Sequence, residues 1–284
     1  MIKIKHAKIK SQLARYVRKI SVFECSNPIE CKHRLIPSGC TYLSYNHKDI
    51  PTYFHKRKVN PSERLQITGP KTNQNIYVEY GVELLQILIE FTPTGFYYLF
   101  HDSPAKYLNE LMNLSHFGHR ETTENLKYQL LSTDNPDVQI DIIQDYLLEL
   151  SFHALPFCNY IEEAIKIMET NIGKILVKDT AQAVNKSERQ FCRQFIKIVG
   201  VPPKVYSKIL QLHYVINLMN LKELSTFKEI SYSANFYDQS HFDHRFKELV
   251  GIKPNEFLVS KEHNALKYFT DLVKTRKLSS KAPD

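Results

Sequence analysis

Side chains that can hydrogen-bond to nucleic acid recur at helical spacing in two segments of the chain, 179–206 and 228–257. They are Arg189, Gln190 and Arg193 in the first segment, and Gln239, Ser240, Asp243, His244 and Lys247 in the second. Such groups bond to base edges or phosphates, and arginine pairs with guanine through two hydrogen bonds at once. The residue types therefore favour binding to nucleic acid over catalysis, and we expect no catalytic residue.

The two segments share one plan for positioning these side chains. Each contains a short amphipathic helix, a polar turn, a capping residue (Ser187 or Asp238) and a second helix with phenylalanines four residues apart. Each then ends in the pattern V-G-[VI]-x-P followed by an aromatic residue. Two helices joined by a tight turn form the helix-turn-helix plan, whose second helix enters the major groove of DNA.

Helical geometry predicts which side of each second helix is exposed. Successive residues rotate by about 100°, so the phenylalanines fall on one side and the polar residues on the other. The packing side carries Phe191, Phe195 and Ile198 in the first helix, and Phe242, Phe246, Leu249 and Val250 in the second. For Arg189 and Arg193 alone, a solvated surface is the simpler interpretation. The paired architecture favours DNA contact instead.

A third helix is predicted between the two units, in "PPKVYSKILQLHYVINLMNL" (202–221). Its apolar residues at 205, 209, 212, 215, 216 and 219 follow a helical period. A helix of about 19 residues spans roughly 28 Å, close to the roughly 34 Å between successive major-groove faces on one side of the duplex. Such a connector can hold both second helices against adjacent grooves.

Residues 161–257 resemble the double helix-turn-helix domain of AraC/XylS-type bacterial transcription regulators. The similarity is greatest in "EISYSANFYDQSHFDHRFKELVGIKPNEF" (229–257), and the first unit fits in spacing. The resemblance implies a sequence-specific, double-stranded DNA-binding regulator, typically an activator that contacts RNA polymerase. It also implies that the base contacts come from Arg189 and Arg193, and from Gln239, Ser240, Asp243 and His244.

Four positions depart from the family pattern. Ser231 replaces the usual alanine, and Asn235 replaces the turn glycine, although asparagine is the next best residue at positive φ. Gln211 stands where the connecting helix usually has arginine, and His244 stands where arginine is common. We therefore expect Gln211 not to make the contact that arginine makes at this position in the family. We also expect the groove affinity at His244 to be weaker or pH-sensitive.

The first hundred residues favour strands. The segments "YLSYN", "NIYVEY", "ELLQILIEF" and "TGFYYLF" are rich in β-branched and aromatic residues and are separated by turn signals. Beyond Asp102, the segments "SPAKYLNELMNL" and "DNPDVQIDIIQDYLLELSF" favour helices with Pro at the first turn. The prediction is an α+β protein with two domains: a β-rich sandwich or small barrel with helices, and an all-α double helix-turn-helix domain.

Domain limits follow from this change of pattern. We place a β-rich domain with a helical extension at 1–150, the DNA-binding domain at 158–260, and a C-terminal helix or tail at 261–284. The first domain faintly resembles the β-rich domain that precedes the DNA-binding domain in some AraC-type regulators. That resemblance implies modulation of activity by a small-molecule effector, or a homodimer.

Charge and cysteine content agree with a cytoplasmic protein that meets a polyanion. The net charge is +8, of which roughly +2 comes from residues 1–158 (18 Lys/Arg against 16 Asp/Glu) and roughly +6 from residues 159–284 (20 against 14). Such a basic bias fits DNA, but a solubilising surface explains it equally well. The five cysteines form no C-x-x-C pair, and no segment indicates a signal peptide or a membrane span.

Other functions are less well supported by the residues. The pairs His116/His119 and His241/His244 have the spacing of half a metal site, but no further ligands stand nearby, so we expect neither a metal nor another cofactor. One alternative is a small-molecule-binding or enzymatic β-barrel with a helical appendage. Another is an adaptor that binds protein through the paired helices, which the basic bias disfavours.

Overall fold

The computed structural model describes residues 3–26, 33–55, 58–60, 62–72, 76–118, 120–221, 226–234 and 238–259. In these residues a strand-rich N-terminal region precedes a helical C-terminal region, which confirms the predicted α+β class. Among them, no helix combines the length and the apolar character that a membrane span requires.

The N-terminal region contains two antiparallel sheets. Its strands are β1 (Lys3–Ala7), β2 (Val17–Cys25), β3 (His33–Arg34), β4 (Tyr42–Asn46), β5 (Thr52–His55), β6 (Lys58–Asn60), β7 (Leu65–Thr68), β8 (Ile76–Glu79), β9 (Leu84–Phe91) and β10 (Leu111–Asn113). The larger sheet has the order β1-β2-β9-β4-β7-β10, and the smaller one has the order β3-β8-β5-β6. Strand β9 pairs with β2 on one side and with β4 on the other, so it occupies the middle of the larger sheet.

The two sheets pack on each other, as expected for a sandwich. Phe23 and Leu84 from the larger sheet share a buried cluster with Tyr53 and Val78 from the smaller one. Strand β9 is buried along almost its whole length because the smaller sheet covers one face and helices cover the other. A strand covered on both faces shows a continuous apolar sequence rather than an alternating one.

The helices are α1 (Gly95–Phe100), α2 (Arg120–Leu131), α3 (Pro136–Ser151), α4 (Asn159–Thr170), α5 (Val177–Ala183), α6 (Glu188–Val199), α7 (Pro203–Leu221), α8 (Phe227–Ser233), α9 (Gln239–Val250) and α10 (Pro254–Val259). Short 3-10 helices lie at Ser11–Leu13, Pro104–Tyr107 and Leu114–Phe117. The predicted start of α3 is confirmed, since the Asn135 side chain accepts a hydrogen bond from the backbone of Asp137 at 2.9 Å.

Two of the predicted elements are wrong. The segment "TGFYYLF" forms helix α1 rather than a strand, and five of its six helical residues are buried. With no polar side, the aromatic run could not reveal its period. The helix predicted from Ser103 ends after one 3-10 turn at Tyr107. The chain then turns through Asn109 at φ 64° and joins the larger sheet as β10, where Met112 pairs with Ile67.

The hydrophobic core does not divide between the sheets and the helices. One buried cluster runs from Leu13 in the first 3-10 helix to Leu210 in α7, and a second runs from Leu212 to Phe257. The predicted domain limits near 150 and 158 stay predictions. They bracket the loop between α3 and α4, and the tail predicted at 261–284 lies outside the described residues.

A polar cluster joins the larger sheet to the helices. Glu169 of α4 accepts a hydrogen bond from the Arg18 guanidinium at 2.8 Å and another from the Tyr206 hydroxyl at 2.8 Å. Arg18 of β2 also lies 3.4 Å from Glu90 of β9. The cluster therefore fixes the sheet, α4 and the start of α7 relative to one another.

Candidate nucleic-acid interface

The first helix-turn-helix unit consists of α5 and α6. The Ser187 side chain caps α6 by accepting a hydrogen bond from the Gln190 backbone at 3.3 Å, and Gly200 ends the helix at φ 90°. Phe191 and Phe195 are fully buried, with ring centroids 5.4 Å apart. The caps set the ends of the helix, and the buried rings set its rotation.

The second unit, α8 and α9, repeats this construction. Asp238 caps α9 by accepting a hydrogen bond from the His241 backbone at 2.7 Å, and Gly251 ends the helix at φ 91°. Phe242 and Phe246 are buried, with centroids 5.9 Å apart. The two predicted caps are thus confirmed. The turn residue Asn235 lies outside the described residues.

The polar side of each second helix faces solvent. The exposed side chains are Arg189, Gln190, Arg193, Gln239, Ser240, His244 and Lys247. Asp243 differs from the rest of the predicted set because it is half-buried, and this burial raises the pKa of its carboxyl group against the opposing effect of Lys253. The predicted contact residues are therefore accessible, and their contact with DNA stays a prediction.

The connecting helix α7 has the predicted length of 19 residues and is tied to both units. Gln211 donates a hydrogen bond from its amide to the Gly173 carbonyl at 3.2 Å, so this side chain is engaged inside the protein. Nearby, Lys174 donates to the Ser233 carbonyl at the end of α8, at 2.9 Å. These contacts join the loop that precedes α5 to the connecting helix and to the second unit.

A charged groove that sequence reasoning missed lies between α7 and α9. It has a volume of about 200 Å³ and an apolar floor that includes Leu212 and Phe246. Two residues that line the groove, Arg245 and Lys208, pair with Glu248. Arg245 donates to its carboxylate at 2.7 Å and Lys208 lies 3.4 Å from it, and these partners lower the pKa of the Glu248 carboxyl group. Lys208 and Glu248 are forty positions apart, and no local pattern connects them.

The N-terminal region also contacts the second unit directly. Arg34 of β3 donates a hydrogen bond to the carbonyl of Val250, the last residue of α9, at 2.8 Å. His213 of α7 bonds to the Pro37 carbonyl at 2.8 Å. Both contacts join residues far apart in sequence, so neither could be predicted from the chain alone.

Metal ligation finds no support in this part of the protein. Within the described ranges, no group of three or more His, Cys, Asp or Glu side chains is placed to hold a metal ion. His119, the second member of one predicted pair, lies outside those ranges.

Comparison with protein families decides the identity of the paired units. Residues 180–259 match the family model described as a helix-turn-helix domain. This segment is an AraC-type helix-turn-helix domain. The protein that carries it is a DNA-binding transcription regulator, which confirms the resemblance found in the sequence.

Solved structures of regulators similar to this protein span different shares of the chain. An unsaturated fatty acid-bound ToxT from Vibrio cholerae is 12% identical, covers 89% of this chain and 96% of its own, and has a TM-score of 0.47. An AraC-type regulator from Chromobacterium violaceum is 27% identical, covers 36% and 95%, and has a TM-score of 0.32. The AraC-like activator CuxR is 13% identical, covers 96% and 91%, and has a TM-score of 0.24. No curated protein matches the sequence.

Proposed function

We propose that this regulator binds DNA through both units at once, with α6 and α9 in adjacent major grooves. The observation that carries the proposal is the repeated construction of the two helices. Each is capped at its start, ends in a glycine at positive φ, buries a phenylalanine pair and exposes a polar side. The connecting helix of 19 residues spans roughly 28 Å, close to one turn of the duplex.

The two exposed surfaces differ in chemistry, so we expect two different half-sites. Arg189 and Arg193 stand four residues apart on α6, and arginine pairs bidentately with guanine. Helix α9 instead presents uncharged or weakly basic groups from Ser240 and His244, together with Lys247. The first half-site should therefore contain guanine and contribute more of the sequence preference than the second.

Selection of bound sequences from a random duplex library by the purified full-length protein tests the two-groove arrangement. We expect one enriched motif with two dissimilar half-sites about 10 base pairs apart. A single enriched half-site would show that one unit acts alone, and no enrichment at all would overturn the proposal.

Substitution of Arg193 tests the assignment of the contact residues. Arg193→Ala should weaken binding to the selected duplex by roughly 1–3 kcal/mol and relax preference at one guanine, with a smaller effect on random DNA. Arg120→Ala, at an exposed arginine at the start of α2, is the control. Equal losses on both duplexes would mean that Arg193 touches phosphate only, and no loss would mean that the exposed side is assigned wrongly.

We further propose that the β-rich region modulates DNA binding. Support comes from two hydrogen bonds: Arg34 donates to the end of α9, and the Pro37 carbonyl bonds to His213 of α7. A shift of the segment from Arg34 to Pro37 would therefore act on the second unit and on the connecting helix. A small-molecule effector, a homodimer and contact with RNA polymerase during activation rest on the family resemblance alone. The family match favours a regulator, a class that typically lacks enzymatic activity, over the alternative of an enzymatic β-barrel.

A further inference from the structure

The turn between α4 and α5 has an unusual backbone. Ile172 and Gly173, which are consecutive, both lie in the left-handed region, at φ 56° and φ 69°. Isoleucine rarely adopts this conformation, because its branched side chain crowds the backbone there. Such a conformation persists only where surrounding contacts hold it. Contacts of this turn with the connecting helix and with the second unit supply that support.

Gly173 brings the turn directly against the connecting helix α7. A Cβ added at Gly173 would collide with the carbonyl oxygen of Ser207, so any other residue would push the turn away from the helix. One helical turn further along α7, the Gln211 amide donates to the Gly173 carbonyl at 3.2 Å. Residues four apart share one side of a helix, so the turn is docked along a single side of α7.

Lys174 reaches from the same turn to the second unit. Its ammonium group donates a hydrogen bond at 2.9 Å to the carbonyl of Ser233, the last residue of α8, and lies 5.7 Å from the centroid of the Tyr214 ring of α7. Carbonyl groups at the end of a helix lack partners within that helix, and a cation is favourable there. Because α5 begins only three residues later, at Val177, Lys174 links the start of the first unit to the end of α8.

These polar contacts lie where the hydrophobic core is interrupted. Among the described residues, the buried cluster that includes the first unit ends at Leu210, and the buried cluster of the second unit begins at Leu212. The residue between them is Gln211, which bonds to the turn. Separate apolar cores do not fix the angle between two units. That angle therefore depends on α7 and on polar contacts such as those of the turn.

We propose that the turn at 172–174 braces the second unit at a fixed angle to the first, and thereby determines which spacing of half-sites the protein accepts. The inference rests on the proposed function, in which α6 and α9 bind at once. One added base pair moves a half-site by about 3.4 Å and rotates it by about 35° around the duplex. A second unit held at one angle therefore favours one spacing. Gly173, Lys174 and Gln211 are positioning residues, which act through the placement of α9.

Duplexes with altered spacing test the brace. The dissociation constants of the full-length protein are measured on the selected duplex, on duplexes with one base pair more or fewer between the half-sites, and on a duplex with the first half-site alone. The variant is Lys174→Met, which keeps most of the side-chain length but loses the ammonium donor. Lys174→Arg keeps a donor, and Lys166→Met, at an exposed lysine of α4, is the matched control.

We expect Lys174→Met to bind the two altered duplexes, relative to the selected one, about two- to fivefold more tightly than the wild-type protein does. The wild-type protein must break the hydrogen bond from Lys174 to reach a shifted half-site, whereas the variant has no such bond to break. The gain is modest because this bond is exposed to solvent. Affinity for the single half-site should not change, and Lys174→Arg should behave like the wild-type protein.

Three results would overturn the brace. In the first, Lys174→Met keeps the spacing preference of the wild-type protein and of Lys166→Met. In the second, Lys174→Met loses the same affinity on every duplex, which would mean that Lys174 contacts phosphate. In the third, Lys174→Arg matches Lys174→Met, so the hydrogen bond is not responsible. If the wild-type protein distinguishes the spacings in these cases, the proposed function stands. A wild-type protein that binds every spacing and the single half-site equally overturns both proposals.

Discussion

Glu169 should be among the most important polar residues for the stability of the junction between the sheets and the DNA-binding units. Its carboxylate accepts hydrogen bonds at 2.8 Å from both Arg18 and Tyr206, and its side chain is 31% exposed. A hydrogen bond to a charged group contributes about 1.5–3 kcal/mol. Two such bonds set an upper limit of about 3–6 kcal/mol for their loss.

The expected cost of Glu169→Ala is lower than that limit for two reasons. Solvent screens a partly exposed carboxylate, and Arg18 keeps a second partner in Glu90 at 3.4 Å. We therefore expect the free energy of unfolding to fall by about 2–3 kcal/mol. Glu169→Gln keeps one acceptor oxygen and should cost about half as much, and Tyr206→Phe alone about 1 kcal/mol.

Urea denaturation followed by circular dichroism measures these losses. Glu163→Ala is the matched control, because Glu163 is exposed on the same helix and forms no ion pair or hydrogen bond through its side chain among the described residues. A double-mutant cycle of Glu169→Gln with Tyr206→Phe should give a coupling of about 0.5–1 kcal/mol. If Glu169→Ala costs no more than Glu163→Ala, the cluster contributes nothing to the junction and the reasoning fails.

Two further predictions concern the same junction. Gly200 has φ 90°, and a Cβ added there would lie 2.9 Å from both Pro70 and Pro104. Gly200→Ala should therefore lower the free energy of unfolding, measured by urea denaturation, by about 2–4 kcal/mol. Gly118→Ala is the near-neutral control, because a Cβ added at Gly118 meets only open space. Burial lowers the pKa of Lys71 to about 7. Between about pH 7 and its ordinary value, the unfolded chain therefore binds a proton that the folded chain lacks, and stability should rise by up to about 1.4 kcal/mol per pH unit. Lys71→Met should be more stable than the wild-type protein near neutral pH, and its stability should not rise with pH in this way. If the urea midpoints of the two proteins change in parallel from pH 6 to 9, the lowered pKa of Lys71 is contradicted.

Local sequence signals predicted the two DNA-binding units well. Ser187 and Asp238 cap their helices as expected, because a cap depends only on the next three residues. The buried phenylalanine pairs follow from helical period in the same way. The sequence alone therefore predicts which sides of α6 and α9 are exposed.

Long-range contacts set the parts that the sequence could not predict. Five of the six residues in the aromatic run at 95–100 are buried and none is charged, so the pattern suits a strand as well as the helix it forms. Strand β10 forms because it pairs with the edge strand β7, which lies more than forty residues earlier in the sequence. The Arg18–Glu169 contact joins residues 151 positions apart, and no motif predicts this connection between the larger sheet and α4.

The short strip from Arg34 to Gly39 touches both halves of the DNA-binding region. Gly39 packs beside Ile209 in the first part of α7, and the Pro37 carbonyl bonds to His213 further along that helix. Arg34 donates a hydrogen bond to the last residue of α9. A tilt of about 10° at one end of a helix roughly 28 Å long displaces the other end by about 5 Å, more than the roughly 3.4 Å between stacked bases. If both units bind DNA as proposed, a modest movement of this strip would therefore change the spacing between half-sites that the protein tolerates, without altering any of the proposed contact residues.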